Sequence, residues 1–208
     1  MKKHVVGKRF LEALVTAGWK MVHAPREDRA LYGSVRPTAT YRPWTRDADF
    51  LDVWRRVREH TLVDMYRCYE LWQLVSQTQS LNAGAFVEVG VWRGGTGALI
   101  ARRARDLGIK DPVFLCDTFT GVVKAGAKDT VYKGGEHADT SIDCVEFLLG
   151  EIGVGSNVVI LEGVFPDDTA DAIGDVPLRF CHIDVDVYES ARGVAEWAWH
   201  RLCPGGII

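Results

Sequence analysis

Acidic residues recur where short apolar runs end. AFVEVGV (85–91) carries Glu88 and leads into Gly90-Val91-Trp92-Arg93-Gly94-Gly95. PVFLCDT (112–118) ends near Asp117, NVVILEG (157–163) delivers Glu162, and LRFCHIDVD (178–186) delivers Asp184 and Asp186. Open α/β sheets bind ligands at the carboxyl ends of their strands. A helix cap explains one such acid but not the whole set. The glycine turn narrows the ligand. A pyrophosphate turn of the GxGxxG type needs its second glycine so that the backbone can approach the phosphates. Trp92 stands at that position, and an acid two residues before Gly90 repels phosphate while suiting a cation. S-adenosylmethionine is such a cation, with a sulfonium, an amino group and a ribose. Glu88 and the Gly90 backbone are candidates for its amino-acid end. Asp117, 22 residues after Gly95, is the candidate for its ribose hydroxyls.

Asp184 and Asp186 fall on one side of an extended strand. Such a pair suits a hard metal, a metal ligand beside a general base, or both. Asp186 could instead cap a helix starting near Tyr188. His137 lies in Gly134-Gly-Glu-His-Ala-Asp-Thr-Ser141, within a polar, glycine-rich stretch over 119–141. Long polar loops over a site often act as lids, which makes His137 a rival base. His182, inside a strand end, reads as a packed core histidine.

Alternating elements must position these groups. Strands over 85–91, 112–118, 157–163 and 178–186 alternate with helices after Gly94-Gly95, near 141–152, over 167–173 and over 188–202. This pattern predicts a parallel sheet with helices on both faces. Ile207-Ile208 read as the start of a fifth strand, so the sheet is expected to be cut short at the C-terminus. Helices are also expected over 1–20 and 48–79, the latter broken near His60 or Thr61. The 208 residues predict one domain with an arm, and 47% apolar with 25% charged residues is ordinary globular usage. Residues 1–60 hold 13 Lys and Arg against 7 Asp and Glu, whereas 61–208 hold 12 against 21. A mildly basic arm thus precedes an acidic body, which suggests dimerisation through complementary charge. Trp19, Trp44, Phe50 and Trp54 are too many large apolar groups for a free arm, so packing on the sheet or a second subunit is expected. No dense basic patch suggests nucleic acid, no apolar run suggests a membrane span, and the N-terminus is no plausible signal peptide. Five cysteines without a CxxC motif read as free thiols in a reducing cytoplasm.

GVWRGGTGALIA (90–101), LCDTFTGV (115–122), GVFPDDTA (163–170) and HIDVDVYES (182–190), followed by LCPGGII, resemble the macrocin O-methyltransferase family. The resemblance covers roughly 60–208. It implies a Rossmann-like class I methyltransferase sheet and magnesium-dependent transfer of a methyl group from S-adenosylmethionine to a sugar hydroxyl. A small-molecule sugar or glycoside would be the acceptor, and a homo-oligomer is expected. By the same resemblance Thr61, Glu88, Val89, Gly90, Val91, Trp92, Arg93, Gly94, Asp117 and Ser141 would contact the cofactor. Thr61-Leu-Val-Asp64 would begin a cofactor-covering helix. Asp184 would bind Mg2+, and Asp186 or His137 would act as base. Residues 1–80 would form a helical arm and lid, and 81–208 the core. The family's further Asp-Asp metal pair falls beyond Ile208, which leaves a non-catalytic cofactor-binding module as the rival reading. A nucleotide-dependent oxidoreductase is disfavoured by Trp92.

Overall fold

Five short strands set the frame, the first four rich in apolar residues: β1 (Ala85–Val89), β2 (Val113–Asp117), β3 (Val158–Glu162), β4 (Leu178–Ile183) and β5 (Leu202–Ile207). They pair in parallel in the order β3-β2-β1-β4-β5. Every residue of β1 is buried, as a central parallel strand covered on both faces requires. The computed structural model describes residues 42–208. The chain divides into two compact units, Met1–Arg42 and Pro43–Ile208, and the second is described below. The helix expected over 1–20, and Trp19, lie outside the described residues.

Side chains alternate along the strands and build a core on each face. Phe86, Val113, Leu115 and Phe180 pack with helices α1 (Ala48–Val57), α2 (Met65–Gln77), α3 (Gly95–Asp106) and α4 (Ile142–Ile152). Ala85, Val87, Val89, Phe114, Cys116 and Cys181 pack with α5 (Tyr188–Trp199) and Phe165. Phe50, Val53, Val57, Trp72 and Val75 carry α1 and α2 into the first core, with Trp44 and Trp54 partly buried against it. These helices therefore share the core of the second unit.

Three local expectations change. Thr61–Asp64 is a bend, not the start of a helix. The Thr61 hydroxyl takes the Val63 N–H at 3.0 Å, and Asp64 caps α2 by accepting the Tyr66 and Arg67 amides. Segment 167–173 contains only a 3-10 turn at Ala170–Ala172, because Asp168 turns back to accept the Val164 amide at 2.9 Å. Helix α5 stops at Trp199, and β5 begins at Leu202, well before Ile207. Pro204 is tolerated there because β5 lies at a sheet edge. None of the described helices is long and apolar enough to cross a membrane.

At the end of the sheet away from the carboxyl termini, Arg179 is almost wholly buried. Its guanidinium donates to the Gly84 carbonyl at 2.7 Å, the Thr78 carbonyl at 3.1 Å and Asp111 at 2.5 Å. One side chain thereby ties β4 to the segments entering β1 and β2. Removing one member of a buried charged network leaves the others unpaired. Arg179→Met is expected to destabilise the protein by about 3 kcal/mol, the low end because Asp111 keeps some solvent. Urea unfolding checks this, and an unchanged midpoint would contradict it.

Candidate active site

Glycines let the strand ends converge. A Cβ on Gly90 would lie 2.2 Å from the Asp184 carbonyl oxygen, so only glycine allows β1 and β4 to approach there. The Gly90 amide donates to the Cys116 carbonyl at 3.0 Å, and the Asp184 amide donates to the Val89 carbonyl at 2.9 Å. Gly95 does similar work one turn later. Its amide donates to the His60 carbonyl at 2.9 Å, and a Cβ would sit 2.6 Å from that oxygen. The bend at Thr61 is thereby laid over the start of α3.

A cavity of about 320 Å³ opens at the carboxyl ends of the strands, at the switch point between β1 and β4. Thr61, Val89, Gly90, Val91, Trp92, Asp117, His137, Asp184 and Asp186 line it. The Asp117 carboxylate accepts the amides of Val91 at 2.6 Å and Trp92 at 2.8 Å through Oδ2, and that of Phe119 at 2.8 Å through Oδ1. A carboxylate offers about four acceptor sites. Two are therefore used to shape the glycine turn and a third to turn the chain after β2, and one is left for a ligand hydroxyl.

Four residues expected at the cofactor do not line the cavity: Glu88, Arg93, Gly94 and Ser141. Glu88 points under α3. It is fully buried, its Oε1 lies 2.8 Å from His182 Nδ1, and Oε2 faces Gly97, where a Cβ would come within 2.6 Å. Oε2 has no partner of full hydrogen-bond geometry. Arg93 turns outward to Asp139, Gly94 is the left-handed N-cap of α3, and Ser141 Oγ caps α4 by accepting the Cys144 amide at 3.2 Å. Arg93 and Ser141 are drawn from the cavity by Asp139 and by the cap of α4, Glu88 by its pairing with His182, and Gly94 is taken up in starting α3. His182, expected as core, pairs with Glu88 instead of only packing.

The segment 119–141 is tied down at the glycine turn. Asp139 accepts the Trp92 indole N–H at 2.9 Å and an Arg93 guanidinium N–H at 2.5 Å, and the Arg93 guanidinium stacks on the Trp92 ring at 4.6 Å. The Thr140 hydroxyl donates to the Trp92 carbonyl. These bonds hold Trp92 at φ 48°, a left-handed conformation that costs an ordinary residue roughly 1–3 kcal/mol. The Trp92 indole hydrogen bond, chiefly, holds the Asp139 carboxyl below its ordinary range. His137, also left-handed at φ 62°, sits edge-on to Trp92, and its Nε2 lies 3.9 Å from Asp186 Oδ2. The two rival bases are thus neighbours. Tyr132, also lining the cavity, meets His137 at 5.7 Å between ring centroids, on the same side as Asp186. That carboxylate, first among the causes, pushes the phenol up from its ordinary value. Nothing in local sequence spacing marks Tyr132, because its role comes from a loop contact across more than fifty residues.

Cys116 lines the cavity but is no nucleophile, since burial pushes its thiol up strongly. Among the described residues no three His, Cys, Asp or Glu side chains gather to hold a metal ion. Asp184 and Asp186 do not by themselves complete the oxygen cage expected for Mg2+. The same carboxylates, with a spare acceptor on Asp117 and a side-chain-free wall at Gly90, do fit a cationic nucleoside.

The strand order and the cavity define an open, Rossmann-like α/β fold with its site at the switch point of the sheet. A family model for macrocin-O-methyltransferase (TylF) matches residues 27–208, and the chain belongs to that family. Among solved structures it resembles the O-methyltransferase NovP, with 24% identity and a TM-score of 0.63 over 71% of this chain and 65% of NovP. The calicheamicin methyltransferase CalS11 matches at 16% identity and a TM-score of 0.62, over 88% of this chain and 81% of CalS11. An O-methyltransferase from Bacillus cereus in complex with SAH matches at 19% identity and a TM-score of 0.51, over 93% and 70%. The chain thus spans 65% of the length of NovP. Comparison with curated protein sequences gives no match.

The buried Glu88–His182 pair makes stability depend on pH. Burial works against the charged imidazole, but Glu88 outweighs it and holds His182 above its ordinary value. Burial also pushes Glu88 up, and His182 offsets only part of this. Both groups hold protons more tightly folded than unfolded, so both contributions fade with rising pH. That of His182 is complete below about pH 6.5 and is lost as pH climbs through its raised folded value. Urea midpoints of the parent should therefore fall as pH rises above about 6.5, and those of Glu88→Gln should fall less. Parallel profiles would contradict this.

Proposed function

We propose that this protein is an S-adenosylmethionine-dependent O-methyltransferase acting on a hydroxyl of a sugar or glycosylated natural product. One observation carries the reading: in a chain of this family, Asp117 and the Asp186–His137 pair line a single cavity at the carboxyl ends of the strands. The relatives support the acceptor class, since CalS11 is described as a TDP-rhamnose 3'-O-methyltransferase. The cofactor, when bound, supplies an electrophilic methyl group on a sulfonium.

The remaining steps belong to the chain. Asp117 takes a ribose hydroxyl with its unused acceptor site, while its other sites keep the Val91–Trp92 turn and the bend at Phe119 in shape. Asp184 and Asp186 give the cavity a negative end that favours a cation. Asp186 Oδ2 accepts the proton of the attacking hydroxyl and becomes neutral, and His137, 3.9 Å away, is placed to take that proton on and restore the carboxylate. Trp92, His137 and Tyr132 form an aromatic rim that excludes water and orients a sugar ring. Magnesium would need ligands besides Asp184 and Asp186, and no step here depends on it. A cytoplasmic homo-oligomer is part of the proposal, and five free cysteines support the reducing compartment.

Two substitutions separate the roles. Asp117→Asn should weaken S-adenosylhomocysteine binding by about 1.5–3 kcal/mol, the scale of a hydrogen bond to a charged group. Asp186→Asn should leave that affinity nearly unchanged and slow methyl transfer by about a hundredfold or more. Calorimetry and transfer of labelled methyl from S-adenosylmethionine read the two effects. Equal cofactor affinity in Asp117→Asn would remove the ribose assignment.

A further inference from the structure

Helix α5 starts immediately after the proposed base, yet its cap is missing from its own sequence. The N-cap is Val187, which has no side-chain acceptor. Asp186 is the nearest acid and the obvious substitute. Instead the Tyr188 amide is taken by Asp129 Oδ1 at 2.9 Å, from the loop 59 residues earlier. Asp129 Oδ2 accepts the Gly126 amide at 2.7 Å, so the carboxylate is held by both oxygens. The two amides, that of Tyr188 foremost, keep its carboxyl below the ordinary range.

The surrounding contacts seat the loop on the same turn of α5. Lys128 Nζ lies 3.5 Å from the Tyr188 ring centroid and 3.6 Å from Glu189. The Ser190 hydroxyl donates to the Val123 carbonyl at 3.4 Å, and Lys124 pairs with Asp167 at 2.8 Å. Three residues beyond Asp129, Tyr132 lines the cavity together with Asp186, and its ring meets that of His137, whose Nε2 lies 3.9 Å from Asp186 Oδ2. The loop thus satisfies the helix amide that would otherwise compete for Asp186, and sets a phenol in the same cavity as that acid.

We propose that Asp129 and Tyr132 are positioning residues for Asp186: Asp129 caps α5 in place of the base, and Tyr132 holds the freed carboxylate toward the acceptor hydroxyl. This rests on the function proposed above. The two residues belong to one loop, so ordering that loop assembles the base. Neither residue needs to touch the methyl donor, and a loss should appear in turnover, not in cofactor affinity.

The test uses the full chain with S-adenosylmethionine and macrocin as the probe acceptor. Asp129→Ala and Tyr132→Phe should lower kcat about tenfold or more, the effect of a misplaced reacting group. KM for S-adenosylmethionine and Kd for S-adenosylhomocysteine should stay within about twofold of the parent. Asp129→Asn should recover most of the kcat lost in Asp129→Ala, because its amide oxygen still accepts the Tyr188 N–H although the bond to Gly126 is lost. Asp47→Ala removes a similar cap from α1, where Asp47 accepts the Phe50 amide at 2.9 Å, and should lower stability without lowering kcat. Unchanged kcat in both Asp129→Ala and Tyr132→Phe overturns the proposal. If the parent does not methylate macrocin, crystals of the S-adenosylhomocysteine complexes give the answer. Asp186 turned from Tyr132 to the Tyr188 amide in Asp129→Ala supports the proposal, and Asp186 unmoved in both variants overturns it. A parent that binds no S-adenosylhomocysteine overturns the underlying function instead.

Discussion

The site depends on the close approach of β1 to β4 at Gly90. A Cβ there would lie 2.2 Å from the Asp184 carbonyl, well inside contact distance. With no side chain, the Gly90 amide reaches the Cys116 carbonyl at the end of β2, and Asp184 bonds back to Val89. Three strand ends therefore meet around one residue. The carboxylates of Asp117 and Asp184 face a common cavity because parallel strands all finish at the same edge of the sheet. The buried Glu88–His182 pair lies beneath this junction, with Glu88 pressed against Gly97. A charge so deep is tolerable only because the imidazole answers it.

The 119–141 loop closes the other side of the cavity with little apolar burial of its own. Polar anchors hold it instead: Asp139 and Thr140 on the glycine turn, and Asp129, Lys128 and Lys124 around α5. Two of its functional contacts rest on left-handed residues, Trp92 and His137, whose conformations the anchors sustain. A segment fixed by hydrogen bonds and ion pairs opens more readily than one fixed by a core. That suits a cover that must admit both a cofactor and a sugar.

Most of the fold was legible because parallel strands buried on both faces read as short apolar runs between glycine turns and helices. Asp117, Asp184, Asp186 and His137 could be picked out by their place at strand ends or in a polar loop, and all four line one cavity. The boundaries that shifted were governed by side chains bonding to nearby amides. Thr61 and Asp64 turned an expected helix into a bend, and Asp168 reduced another to a 3-10 turn. Glu88 read as a cofactor contact because it precedes the glycine turn, but strand alternation sends it to the α3 face. Asp129 and Tyr132 left no periodic trace, since their partners Tyr188 and Asp186 lie more than fifty residues away.

The most direct measurement is a crystal structure of the protein with S-adenosylhomocysteine bound. The expected result places the ribose within hydrogen-bond reach of Asp117 and the sulfur facing the space between Asp186 and His137. A nucleoside bound elsewhere, or one whose ribose ignores Asp117 while its sulfur points away from Asp186, would contradict the assignment of this cavity to methyl transfer.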